Sequence, residues 1–74
     1  MISRLENFES GWVDVLLSLD ESEVASLIEL LNDLKDGKLG HFHLTATDFD
    51  GQQGIANVEF SMKGAEDEDN MIVG

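Results

Sequence analysis

The 74-residue chain contains no cysteine. That removes disulfides and thiolate metal sites, and it fits a reducing cytoplasm. Cations are scarce as well: four Lys and Arg stand against sixteen Asp and Glu, a formal net charge of −12. Binding a nucleic-acid backbone needs clustered Lys and Arg, so the composition argues against nucleic acid as a partner. The opening MISRLENFES has no apolar run of signal-peptide length. No window approaches the roughly 18 apolar residues of a membrane span, and no basic amphipathic helix suits an anionic membrane surface. The expectation is a cytoplasmic protein with no nucleic-acid and no membrane partner. Motifs for catalysis are missing too. No serine sits in a G-x-S-x-G setting and no Gly-rich phosphate loop precedes the helix. A non-enzymatic protein without a cofactor is expected.

What the chain does have is acid and a patterned hydrophobic content of 42%. Patterning argues against disorder. The length allows one domain, and a domain this small buries only about 60% of the surface its unfolded chain exposes. The negative field has two readings. It keeps a small protein soluble and monomeric, and it steers basic partners toward the chain.

The periodicities predict an α+β fold of two layers, β-α-β-β, with one helix packed on a small, mainly antiparallel sheet. Residues 1–10 are open to two readings, a short helix-like segment or an extra N-terminal strand paired in a hairpin with the next segment. WVDVLLSL (12–19) alternates as a strand, with Val13, Val15, Leu17 and Leu19 on one face and Trp12, Asp14, Leu16 and Ser18 on the other. DESEVASLIELLNDLKDG predicts a helix over 21–36. Asp20 is its N-cap and Glu23 completes an acidic capping box, and Gly37 ends it. Val24, Leu27, Ile28, Leu31 and Leu34 form the apolar stripe, broadened by Leu30. Phe42, Leu44 and Ala46 then alternate with His41, His43, Thr45 and Thr47. After the turn DFDGQQG, Ala56, Val58, Phe60 and Met62 alternate with Asn57, Glu59, Ser61 and Lys63 as the second strand of a hairpin. One domain over 1–65 is expected, with an acidic C-terminal tail over 66–74. That tail holds four consecutive acids, Glu66 to Asp69, and such runs usually stay solvated.

Both histidines of the chain lie in GHFHLTATDFDG (40–51). Alternation puts His41 and His43 on the same side of their strand, about 7 Å apart at the backbone. Two imidazoles at this spacing can share a metal, but zinc wants at least three protein ligands. Glu59 or Asp14 can supply the third if the strand register places it alongside. The competing readings are outward strand histidines bonded to neighbours or water, or a pH-sensitive interface. The DFDG loop does not match an EF-hand. With Gly51 at position six, positions one and twelve are Ala46 and Asn57, so the essential acids are missing. Asp48, Asp50 and Gly51 read instead as turn formers.

The sheet face opposite the helix is expected to carry Trp12, Leu16, His41, His43, Thr45, Thr47, Asn57, Glu59 and Ser61. Exposed aromatic anchors ringed by polar groups serve interaction surfaces. Trp12 is either such an anchor or covered by residues 1–10, and a homodimer joining two faces or two sheet edges would also hide it. The order of strand, leucine-rich helix, GHFHL (Gly40 to Leu44), acidic turn and alternating strand resembles small bacterial immunity proteins of polymorphic toxin systems. The resemblance covers Leu27 to Lys63 and rests on GHFHL. It implies a cytoplasmic protein that binds and blocks a toxin domain without catalysis of its own. The acidic tail and the brevity of the chain depart from that pattern. The first expectation is an acidic interaction domain that binds a basic protein partner through Trp12, His41, His43, Thr45 and Glu59. The second is a metal- or small-ligand-binding domain using His41 and His43.

Overall fold

The computed structural model describes every residue except Gln52. The chain runs β1 (Ile2–Asn7), β2 (Val13–Ser18), α1 (Glu21–Lys35), β3 (His41–Thr45) and β4 (Asn57–Ser61). This is a small α+β fold with an N-terminal strand. The strands do not merge into one sheet. β1 pairs with β2 and β3 with β4, each as a separate antiparallel pair. Each strand takes its neighbour in sequence, where the entropy of closing the loop is smallest. β2 and β3 are not paired, so no crossover arises between them. Among the described residues no helix is long and apolar enough to cross a membrane.

The helix begins as its capping chemistry predicts. The Glu23 amide donates to Asp20 Oδ1 at 2.9 Å, and the Asp20 amide donates to Glu23 Oε1 at 3.0 Å. These reciprocal bonds satisfy two of the backbone donors that a helix start leaves free. The Ser22 hydroxyl adds a bond to Asp20 Oδ1 at 2.8 Å. The Glu23 amide, then the Ser22 hydroxyl, hold the Asp20 carboxyl below its usual range. The Asp20 amide, then the amino group of Met1, do the same for Glu23. At the other end Asp36 is the C-cap and Gly37 takes the left-handed conformation, φ 77°. The Lys38 amide donates to the Asp33 carbonyl at 2.8 Å and the Gly37 amide to the Leu34 carbonyl at 3.2 Å. This is the Schellman closure, and a residue without Cβ enters it without strain.

The core lies between α1 and the β3–β4 hairpin. Leu34 and Phe42, 6% and 8% exposed, are its buried centre. Phe42 stacks on its cross-strand partner Phe60 with ring centroids 4.8 Å apart. Leu27 and Leu30 share a recess with Leu44. Met62, expected to point inward, falls past the end of β4 and is exposed.

The helix stripe divides. Leu27, Leu30 and Leu34 turn toward the hairpin, while Val24, Ile28 and Leu31 stay 44%, 53% and 40% exposed. The apolar sector of α1 is wider than a two-stranded hairpin covers. On β1–β2, register places Leu5, Val13, Val15 and Leu17 on one face. Leu5 and Leu17 are half-buried, but Val13 and Val15 are exposed. The consequence is an open molecule. Its accessible surface is 6661 Å², against about 4,500 Å² for a compact monomer of 8.2 kDa. Its radius of gyration is 14.3 Å, against about 11 Å for a compact chain of this length.

Candidate functional site

The outward face of the β3–β4 hairpin gathers the chain's two histidines. Its register pairs His41 with Ser61, His43 with Glu59 and Thr45 with Asn57. Directly opposed residues of an antiparallel pair project to the same side. These six side chains therefore share one face, and Phe42, Leu44, Val58 and Phe60 take the other. β3 lies against α1, with Phe42 buried and Leu44 half-buried, which fixes which way the histidines point. A slip of one residue would exchange the two sets.

His43 Nε2 lies 3.0 Å from Glu59 Oε1. The rings of His41 and His43 meet edge to face, with centroids 5.1 Å apart and planes at 80°. One ligand atom from each of His41, His43 and Glu59 falls within 4.8 Å of the others, and all three residues are exposed. The register thus brings Glu59 beside the two histidines, one of the two carboxylates that alternation alone leaves open. Asp14 belongs to the other sheet, opposite Glu6.

Trp12 is not on this face. It sits in the turn of the β1–β2 hairpin, where the Phe8 amide donates to its carbonyl at 2.9 Å and Gly11 takes φ 89°. The tight turn throws the indole outward, and it is 78% exposed. Residues 1–10 form β1 as one of the two readings expected, yet they do not cover Trp12. Leu16, expected on the histidine face, also belongs to the β1–β2 sheet, where it is half-buried opposite Arg4. The single mixed face expected from the sequence is therefore two surfaces on two sheets.

An open cleft of about 800 Å³ lies between the hairpins, lined by Arg4, Leu5, Glu23, Thr45, Asp48 and Val58 among others. Thr45 joins it to the histidine face. The Asp50 amide donates to Asp48 Oδ1 at 2.9 Å, the local turn expected of that loop. In the tail, Lys63 Nζ and Asp69 Oδ1 are 2.6 Å apart, and the Gly64 amide donates to Asp67 Oδ2 at 2.7 Å. These bonds fold the acidic run back beside the end of β4. Met71, Ile72 and Val73 form no strand and are exposed.

The feature sequence reasoning missed is the exposed stripe Val24, Ile28 and Leu31. The signal was its width. An apolar sector that includes both Leu30 and Ile28 spans nearly half the helix circumference, given about 100° per residue. Comparison with protein-family models, curated proteins and solved structures gives no match.

Proposed function

We propose that this chain is an acidic interaction domain that binds a basic protein partner, as an immunity or inhibitory protein does, with no catalysis of its own. The observation that carries the reading is the excess of exposed surface. The chain exposes about 2,200 Å² more than the roughly 4,500 Å² of a compact monomer of its mass. An obligate complex buries 2,000–5,000 Å² in all, about half of it from each partner. The exposed stripe on α1 is continuous with the core that the β3–β4 hairpin covers, so a partner seated on it extends that core. Helical periodicity sets Glu21, Glu29 and Asp36 along the solvent side of the stripe.

Charge selects the partner. At −12 the chain repels acidic proteins and a second copy of itself, and it steers basic ones into encounter. Trp12, at the tip of the other hairpin, is a second exposed anchor. Affinity capture from source-cell lysate at low and at high salt, read by mass spectrometry, tests the proposal. One basic protein, retained at low salt and weakened at high salt, is the expected result. Capture of acidic proteins, or retention indifferent to salt, would refute the choice of partner.

A further inference from the structure

We infer that His41, His43 and Glu59 form a binding site for a zinc-like divalent transition metal on the outward face of the β3–β4 hairpin. The site does not rest on the partner reading, since the stripe on α1 and this face share no residue.

The geometry is close to what the ion requires. Zinc takes imidazole nitrogen at about 2.0–2.1 Å and carboxylate oxygen at about 2.0–2.2 Å, so tetrahedral ligands lie about 3.3 Å from one another. His43 Nε2 and Glu59 Oε1 are already 3.0 Å apart, and one donor atom of each of the three residues lies within 4.8 Å of the rest. The three side chains that must close on the ion are exposed. The donors come from one hairpin: two alternate positions of one strand and the cross-strand partner of the second. The Phe42–Phe60 stack on the reverse side pins that register.

The donor chemistry favours a borderline metal. Two imidazoles and one carboxylate suit zinc, and hard cations such as calcium prefer all-oxygen sites. The acidic tail is of the latter kind and offers no nitrogen donor. Three protein ligands leave the fourth position of the ion open. Because the face is exposed, that position is free for water or for a donor group on a docked molecule. The field of a −12 chain draws the cation in.

The test is calorimetric titration of the full chain with zinc chloride in a non-chelating buffer, alongside histidine-ring nitrogen shifts by NMR. The expected result is one zinc per chain, with both imidazoles shifted and no displacement by excess calcium. His41→Ala, His43→Ala and Glu59→Gln each weaken binding by more than about tenfold, the loss that even an outer-shell change brings. A tail variant carrying Glu66→Gln, Asp67→Asn, Glu68→Gln and Asp69→Asn draws the cation less strongly but still takes one zinc with both imidazoles shifted. The ring shifts are read on the unaltered chain, so the result does not depend on any variant folding. No zinc binding, unshifted imidazoles, or binding lost in the tail variant but kept in the histidine variants would overturn the assignment. A chain that binds no zinc can still capture a basic protein, so the two proposals fail separately.

Discussion

Leu34→Ala and Ile28→Ala remove aliphatic side chains from the same helix, six residues apart, and the structure predicts very different costs. Leu34 is 6% exposed and lies at the centre of the closed core. Truncating a buried leucine costs about 2–5 kcal/mol, and the lower half of that range applies where the surroundings can collapse. An open fold with two buried apolar residues among those described can collapse, so about 2–3 kcal/mol is expected. A core of this size supplies no more than about 3–5 kcal/mol in total, so Leu34→Ala leaves the chain close to unfolded at room temperature. Ile28 is 53% exposed. About half of its 1.5–3 kcal/mol of burial is therefore absent to begin with. Alanine also returns a few tenths of a kcal/mol through helix propensity. The net cost of Ile28→Ala is under about 1 kcal/mol. Urea denaturation followed by far-UV circular dichroism, compared at constant slope, measures both. Equal losses in the two variants would show that Ile28 is as buried as Leu34, and the reasoning from an uncovered stripe would fail.

Two further predictions concern the helix ends. Asp20 and Glu23 both have carboxyl groups held below their usual range by helix-start hydrogen bonds. A carboxylate depressed in the folded state stabilises it above the unfolded value, near pH 4, and that stabilisation is lost as pH falls through the lowered folded value. Acidification also relieves repulsion across the whole chain, so the variant comparison isolates the cap. Asn is a good N-cap that does not titrate. Asp20→Asn should therefore lose less stability than the native chain between about pH 5 and pH 2, measured by urea midpoints; an unchanged difference would refute the cap's role. At the other end, Gly37→Ala places a Cβ at φ 77° and should cost about 1–2 kcal/mol. Gly40→Ala, in open space without a positive φ, should be near neutral in the same urea midpoints.

The helix was the most legible element. Asp20, Glu23 and Gly37 announce both ends, and α1 starts and stops within a residue of the pattern. The two later strands were legible from alternation, and so was the shared side of His41 and His43. Cross-strand register was not, because it depends on where a loop of irregular length lets β4 begin; only the pairing shows that Glu59 meets His43. Sheet membership was hidden for a similar reason. WVDVLLSL reads as a strand whatever it pairs with, so alternation alone does not separate Trp12 and Leu16 from the histidine face, which lies on the other sheet. The uncovered stripe was concealed because periodicity reports that a helix side is apolar, not that a neighbour exists to cover it.

Val24, Ile28 and Leu31 carry the proposed binding surface, and they are where it is tested most directly. The measurement is side-by-side capture with the native chain and with a Val24→Ser, Ile28→Ser, Leu31→Ser variant whose helix content is checked first. Their exposures of 44%, 53% and 40% leave about 2–4 kcal/mol of burial for a partner to complete, or a loss of about 30- to 1,000-fold in affinity. The basic partner retained by the native chain should be absent from the folded variant. Equal recovery of the same partner by both would contradict a binding role for the stripe.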